Sequence, residues 1–587
     1  MSSSLSEATA TDPDRFDIIK EVEEDWVQFY TTHWGKPEAL RKAVENDRVW
    51  SIPNTEVTGL YFEDTSTFFI REQYEELYSY LDGRKQTDGV VVSGSPGIGK
   101  SFFNVYCLAR RLNEQGTTLF RNCRGSYYLF NKHGVFLLEN GFSISRRHLK
   151  GFDNQNRLWL LYDEVYGTSP PPEMFMNQPI FIVHASSPDS NRYKWASNMP
   201  RASIWYMDVW RFPELRDALK LYKITLTPEK YWQTGPVFRD YIADPNNPRF
   251  SLEQAVAEFN FGKLGHLLTC LVAADGDKSP GKVAHTLFVL RSSPNDHHAY
   301  FVDFKSQKVI KALNSQWEKV RIDEARTFVA GFQGVSIAAV LRGWLFEQYA
   351  ILCLAGKPSD QGLDPKAQFL GFWEMETKKP LKQDAGANGV ESEDVEMKDV
   401  CGEMEGAGLV GEGKGQEGKV RARTYFTKGP SEEKLPCFAR EVLQYDNERE
   451  ICVDGRLYVP RSSTNPLFDA FFFETRKPTH VMVWVFQVTI SCEKGPGSAS
   501  GYNRLKQIQE IASMKVGNEG TVEFRYVLLS PDLNKPEDIV YRFPLNTKGG
   551  KRILGNVYVQ ILAVSPHLKG LEWDPCMDLH LGLPFDS

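Results

Sequence analysis

Along the first half of the chain, short β-branched and aliphatic runs alternate with stretches whose apolar positions recur at helical spacing. Val90-Val91-Val92-Ser93 is an apolar run ending at glycine, the pattern of a strand entering a turn. The segment SFFNVYCLARRLNEQG that follows Lys100 carries apolar residues at helical spacing and is stopped by Gly116. Strand-like runs follow at Thr118–Phe120, Tyr127–Phe130, Leu158–Tyr162, Ile180–His184 and Ile204–Val209. This alternation predicts a three-layer α/β domain built on a mostly parallel sheet. A helix is expected over residues 71–81 (REQYEELYSYL), and a largely helical region over 212–270 carries the capping signal SLEQ at 251–254. Residues 285–304 read as two strands around a polar turn, and Val335–Leu354 reads as a helix.

Further on, the pattern fails and then returns. Residues 383–418 are rich in Gly and Glu and nearly free of aromatics, so they cannot offset their chain entropy and are expected to be a disordered insertion. Strands are predicted again at Leu467–Glu474, His480–Ile490, Val522–Ser530 and Val557–Val564, the makings of a second α/β domain. A chain of 587 residues is in any case too long for one core. Residues 1–15, rich in Ser, Thr, Asp and Ala, are expected to be disordered and lack the basic-then-apolar order of a Sec signal peptide. No run of about 18 uncharged apolar residues is present, which argues against a membrane-spanning helix. A net charge of −7 supplies no general attraction to nucleic acid, so any such contact needs a local basic surface. Lys419–Arg423 (KVRAR) and Lys548–Arg552 (KGGKR) are short and lack interleaved aromatics, and they read as solvated loops. The nine cysteines are scattered with no CxxC pair, the usage of reduced thiols in an intracellular compartment.

The chemistry concentrates between the first strand and its helix. Gly94-Ser95-Pro96-Gly97-Ile98-Gly99-Lys100-Ser101 satisfies the phosphate-loop pattern G-x-x-x-x-G-K-[ST]. Glycines let the main chain turn its N–H groups inward as an anion nest, and the following helix adds its positive end. Lys100 supplies a point charge to the β- and γ-phosphates, and the Ser101 hydroxyl is a magnesium ligand. Leu158–Tyr162 is an apolar strand ending in Asp163-Glu164: Asp163 would hold the magnesium and Glu164 would deprotonate the attacking water. Ser186 and Ser187, after the strand Ile180–His184, are candidates to sense the γ-phosphate, and Arg239 is a candidate to reach the phosphates from a lid. The ligand is ATP or GTP with Mg²⁺; base contacts lie outside the loop, so the pattern does not choose between them.

With these residues in view, LWLLYDE, HASSPDSNRYKW, WRFPEL and GPVFRDYI together resemble the NTPase module of Crinkler-type effectors and the related retrotransposon-hot-spot proteins of fungi, oomycetes and trypanosomes. The likeness covers roughly residues 55–330. It implies an α/β P-loop NTPase of the AAA/STAND type with a helical lid, fused to a C-terminal restriction-endonuclease-like domain. The expected organisation is an N-terminal segment over 1–54, the NTPase over 55–225, a lid or connector over 226–330 and the nuclease-like domain over 331–587. An AAA-like module can borrow an arginine from a neighbour, so a homo-oligomer is among the implied partners. Members are often delivered into host cells and nuclei, although no export signal is legible here.

Carried to the C-terminal part, the resemblance matches Glu347 to a helix acid, Asp469 to a strand acid, and Gln487 with Thr489 to the (Glu/Gln)-x-Lys pair of a metal-dependent nuclease. Three positions depart from that pattern. Thr489 replaces the lysine, Ile351 stands where a helix histidine is often found, and Cys492–Ser500 is a Gly/Ser loop lacking the family's histidine. Without a cation at position 489 the developing phosphate charge loses a partner, although Lys494 and Lys506 are nearby in sequence. Two functions follow as expectations. One is an ATPase that drives a nuclease-like domain acting on or binding DNA or RNA; the other is a nucleotide-switched effector whose C-terminal domain only engages partners.

Overall fold

The computed structural model describes residues 22–52, 67–84, 87–122, 125–138, 149, 151–153, 157–163, 171–176, 178–188, 192–242, 251–271, 279–293, 296–332, 336–356, 368–377, 422–436, 441–445, 448–460, 467–494, 501–544 and 556–564. Two compact units emerge, one of residues 1–318 with 336–341 and one of residues 319–335 with 342–587. Both are mixed α/β.

In the first unit, helices α1 (Glu24–His33) and α2 (Glu38–Glu45) precede the antiparallel pair β1 (Val49–Ser51) and β2 (Thr67–Phe69). Then come α3 (Glu72–Gly83), β3 (Gly89–Ser93), α4 (Lys100–Asn113), β4 (Thr118–Arg121), β5 (Tyr127–Asn131), β6 (Gly134–Leu138), β7 (Leu158–Asp163), β8 (Ile180–Ala185), α5 (Lys194–Ser197), β9 (Ala202–Tyr206) and α6 (Phe212–Lys220). The seven sheet strands run in the order β6-β5-β4-β7-β8-β3-β9. From β4 to β9 every neighbouring pair is parallel, and β5 and β6 extend the edge antiparallel.

Period-two side-chain alternation explains why these strands are apolar on both faces. Val90, Val92, Trp159, Leu161, Phe181 and Val183 join one core with Leu77 of α3, Phe103 and Tyr106 of α4 and Leu215 of α6. Val91, Leu158, Leu160, Tyr162, Ile180 and Ile182 join the opposite core with Trp195 and Ala196 of α5. Three layers result, and the carboxyl ends of β3, β7, β8 and β9 share one edge of the sheet.

The remainder of this unit is α7 (Pro228–Thr234), α8 (Arg239–Ile242), α9 (Leu252–Glu258), α10 (Leu264–Leu271), α11 (Ser279–Leu287), the antiparallel pair β10 (Phe288–Ser293) and β11 (Asp296–Phe304), and α12 (Gln307–Trp317). Ser251 and Gln254 form the expected capping box at the start of α9. The strand expected from His285 starts instead at Phe288, because Val283, Ala284 and Leu287 fall on one helical face and are buried where α11 packs on α9 and α10. The run expected as strand through Val209 ends at Tyr206; residues 207–211 leave the sheet.

The second unit contains α13 (Ile322–Gly331), most of α14 (Ala339–Leu354), β12 (Phe369–Glu376), β13 (Ala422–Pro430), β14 (Val442–Tyr445), β15 (Leu457–Pro460), β16 (Ala470–Lys477), β17 (His480–Val488), β18 (Glu493–Lys494), α15 (Gly501–Val516), β19 (Thr521–Pro531), β20 (Val540–Pro544) and β21 (Asn556–Leu562). Its ten strands follow the order β14-β15-β16-β17-β19-β21-β12-β13-β20-β18, with β17, β19 and β21 parallel. Alternate residues Phe471, Phe473, Val481, Val483 and Val485 bury one face of the hairpin with Leu505, Ile508 and Ala512 of α15. Tyr541 of β20 stacks on Tyr526 of β19 with ring centroids 5.9 Å apart, although β21, β12 and β13 separate them in strand order, so the sheet curls back over its own core. Residues 1–15, 383–418 and 548–552 lie outside the described residues; of the KVRAR cluster, only Ala422 and Arg423 lie within them, at the start of β13.

One buried guanidinium ties the sheet's carboxyl edge to the helices. Arg71, 2% exposed, donates to Ile98 O (3.1 Å), Asp208 O (3.0 Å) and Val209 O (3.1 Å) and forms a bidentate pair with Glu214 at 3.1 Å. Its face also covers the Trp210 ring, 4.5 Å from the centroid. Arg71→Met leaves three main-chain carbonyls and Glu214 without this partner. The expected result is a loss of about 3–5 kcal/mol in denaturant unfolding of the first unit. Arg71→Lys recovers little, because an ammonium cannot reproduce the planar fork; full recovery by lysine contradicts the assignment.

Candidate functional site

The loop between β3 and α4 holds the residues singled out from the sequence. Gly97 has φ +82° and Gly99 φ +108°, both in the left-handed region. A Cβ on Gly97 would lie 2.7 Å from the Arg239 Cβ, and one on Gly99 would run into the Tyr74 hydroxyl. Tyr74 of α3 donates to Gly99 O at 2.7 Å, so the loop is gripped from outside by Arg71 and Tyr74 together. Lys100 is the first residue of α4, and its ammonium spans the loop to Gly94 O (2.7 Å) and Ser95 O (2.9 Å). Desolvation there, joined by repulsion from the Arg239 guanidinium and partly offset by Asp163, lowers the Lys100 ammonium to about 7.

Ser101 and Asp163 converge. The Ser101 hydroxyl donates to Asp163 Oδ1 at 3.1 Å across 62 residues of sequence. Asp163 ends β7 and is 5% exposed. Its main-chain oxygen accepts from Arg121 at 2.5 Å, and the Arg121 guanidinium lies 4.5 Å from the Tyr162 ring centroid. Asn104 of α4 donates to Tyr162 O at 3.2 Å, locking the helix to the end of β7. A hydroxyl beside a carboxylate is the hard-oxygen donor set that magnesium takes. Glu164 lies outside the described residues.

Ser186 and Ser187 follow β8, which runs between the loop strand β3 and the Asp163 strand β7. In register, Ala185 stands between Val92 and Asp163, and Ser186 N–H donates to Val92 O at 3.0 Å. Ser186 is 1% exposed and Ser187 half-buried, so Ser187 is the better placed of the two to meet a ligand. Arg239 opens α8, and its own N–H reaches Gly97 O at 3.4 Å. Loop, Lys100, Ser101, Asp163 and Arg239 thus share one end of the sheet, beside the strand tip that carries Ser187.

Sequence reasoning missed Arg71, Tyr74, Asn104 and Arg121, because each acts through a contact with residues far along the chain. It also missed the roof over the loop. Ser95, 3% exposed, accepts at its hydroxyl from Leu290 N at 2.8 Å and donates to Leu290 O at 3.4 Å. Lys305, just after β11, pairs with Asp240 of α8 at 2.8 Å.

In the second unit, Asp469 and Gln487 meet, because Asp469 precedes β16 and Gln487 lies near the end of the antiparallel β17. Asp469 Oδ2 accepts from Gln487 Nε2 (2.9 Å) and Val488 N (2.6 Å), and Gln487 Oε1 accepts from Tyr526 at 3.3 Å. Thr489, 7% exposed, takes Ser491 N on its hydroxyl at 3.2 Å. Glu347 is half-buried on α14, two residues before Tyr349, whose hydroxyl donates to Ala563 O beyond the carboxyl end of β21. Lys506 points outward on α15, 66% exposed, 3.8 Å from Glu510, and Lys494 belongs to β18. Among the described residues no group of three or more His, Cys, Asp or Glu side chains is placed to hold a metal ion.

No helix among the described residues is long and apolar enough to cross a membrane. No protein-family model matches the chain. It is 25% identical over 298 residues to Crinkler effector protein 16 of Phytophthora infestans and 24% identical over 297 residues to Crinkler effector protein 15 of the same organism. Each match covers 48% of this chain and 45% of the relative, so the chain spans about half the length of the curated relatives it matches. Distant and partial as it is, this similarity supports a relationship to the Crinkler effectors.

Proposed function

We propose that the first unit binds and hydrolyses a nucleoside triphosphate, ATP or GTP, at Gly94–Ser101. The observation that carries this reading is the Ser101–Asp163 pair at 3.1 Å, set beside a loop that Lys100 spans from the first turn of α4. Main-chain N–H groups at the start of α4 receive the phosphates, and Lys100 exchanges its carbonyl partners for phosphate oxygens. Ser101 and Asp163 would hold a magnesium ion, whose chemistry is to neutralise charge developing on the phosphoryl oxygens. Glu164 takes the proton of the attacking water, while Ser187 would sense the γ-phosphate and Arg239 would reach the phosphates.

The second unit, in this reading, binds and does not cut. What favours this is the Asp469 carboxylate bonded to Gln487 and Val488, with a threonine in place of a cation at 489. The similarity to two Crinkler effector proteins supports an effector role, which we assign as a nucleotide-switched protein whose second unit engages nucleic acid or a protein partner.

Calorimetry with Mg-ATP and Mg-GTP tests the first assignment. Lys100→Ala is expected to weaken binding about thirtyfold or more, the worth of a charge-assisted bond to phosphate. Glu164→Gln is expected to bind within about threefold of wild type and to release phosphate at least about a hundredfold more slowly. Normal turnover in that variant removes Glu164 from the mechanism.

Phosphate charge draws the Lys100 ammonium back toward its ordinary range, so binding at about pH 8 takes up a proton. Affinity therefore falls as pH rises from about 7. Calorimetric heats that do not differ between Tris and phosphate buffers contradict this. For the second unit, supercoiled plasmid with Mg²⁺ and ATP is expected to stay intact; nicking that disappears in Asp469→Ala restores the nuclease.

A further inference from the structure

β7 ends at Asp163, and the strand beside it stops one residue earlier. β4 is in register with β7 as far as Arg121 opposite Tyr162, so the Asp163 carbonyl lies past the last residue of that neighbour. A main-chain oxygen buried at a strand end needs a donor from elsewhere. Arg121 supplies it from its own side chain, donating from Nη1 to Asp163 O at 2.5 Å. Side-chain alternation sets Arg121 with Leu119, Tyr127 and Tyr162 on the face of the sheet that packs on α5. Asp163 falls with Trp159 and Leu161 on the opposite face, which packs on α4, and there it meets Ser101. Asp163 is therefore gripped from both faces, at its carboxylate by Ser101 and at its carbonyl by Arg121. The guanidinium that does this is 7% exposed and lies 4.5 Å from the Tyr162 ring centroid and 5.9 Å from that of Tyr127. One residue back, Asn104 of α4 holds the Tyr162 carbonyl at 3.2 Å.

We propose that Arg121 is a positioning residue for magnesium: by holding the Asp163 carbonyl it aims the Asp163 carboxylate at the place it shares with Ser101. The inference rests on the triphosphate and magnesium reading of Gly94–Ser101 and Asp163 given above. Two peptide planes flank the Asp163 Cα, one carrying the Tyr162 carbonyl and one carrying its own. Peptide groups are rigid, so with Asn104 on the first plane and Arg121 on the second, the Cα–Cβ bond of Asp163 has a fixed direction. Release of the second plane lets the end of β7 rock, because β4 has no main-chain group there to replace the guanidinium. Magnesium demands near-ideal octahedral geometry at short bond lengths, so a small tilt of one carboxylate weakens it sharply. Arg121 touches neither the loop nor the phosphates in this reading. A nucleotide bound without metal relies on the main-chain nest and Lys100, and its affinity is independent of Arg121.

The test is calorimetry of AMPPNP on the full chain, once with Mg²⁺ and once with EDTA, the ratio of the two affinities giving the contribution of the metal. Arg121→Met keeps an unbranched stem beside Tyr162 and removes the donor, and Arg121→Lys keeps a donor able to reach a single carbonyl. In Arg121→Met the magnesium ratio is expected to fall about tenfold while affinity in EDTA stays within about twofold of wild type, which also shows the variant to be folded. Arg121→Lys keeps the ratio within about threefold of wild type. Added to Asp163→Asn, Arg121→Met lowers the ratio no further, since both changes act through one carboxylate. An unchanged ratio in Arg121→Met, equal losses with and without Mg²⁺, a lysine variant no better than methionine, or additive losses in the double variant each overturn the role of Arg121 while leaving the phosphate loop standing. Wild-type protein that binds AMPPNP but gains nothing from Mg²⁺ overturns the metal reading and Arg121 with it. Wild-type protein that binds under neither condition overturns the triphosphate reading as well.

Discussion

The loop from Gly94 to Ser101 is a strained object, with Gly97 and Gly99 in left-handed backbone. Something has to hold that shape, and here it is a single buried cation. Arg71 collects the carbonyls of Ile98, Asp208 and Val209 and the carboxylate of Glu214, so one planar group ties α3, the loop, the end of β9 and α6 together. A guanidinium can remain charged at 2% exposure only because its donors are met and Glu214 balances it. Tyr74, three residues later on the first turn of the same helix, secures Gly99. The geometry of Lys100 and Ser101 follows from this frame, since both are fixed where α4 begins.

The order of the strands supplies the second constraint. Because β8 is inserted between β3 and β7, Asp163 is two strands from the loop, and only α4 crossing over the sheet brings Ser101 within 3.1 Å of it. The same insertion places the tip of β8, with Ser187, between the loop and the carboxylate. A parallel arrangement puts all these groups at carboxyl ends, where loops are free to vary while the strands stay packed on both faces.

The two units put their polar groups to different uses. In the first, the Lys100 ammonium is held by the main-chain carbonyls of Gly94 and Ser95, and desolvation lowers its proton affinity. In the second, Asp469, Gln487 and Tyr526 are joined by hydrogen bonds at the end of the β16–β17 hairpin. The neighbouring Tyr526–Tyr541 stack closes the curled sheet at the same place.

Read alone, the sequence determined the local features: the apolar runs that become β3, β7, β8, β16, β17 and β19, the turn glycines, the capping box at Ser251, and the spacing from Gly94 to Ser101. These depend on side-chain period and backbone freedom, which are properties of neighbours in the chain. Asp163 was legible because it ends an apolar strand, whereas Asp469 and Gln487 were singled out only through the resemblance. What the tertiary structure alone decided is which distant residues close on them. Arg71 and Ile98, Ser95 and Leu290, and Lys305 and Asp240 are brought together by strand order and helix packing, and nothing in their flanking residues encodes those meetings. The helical outcome at His285–Leu287 belongs there too, since an apolar stretch so short takes its period from the surface it is packed against.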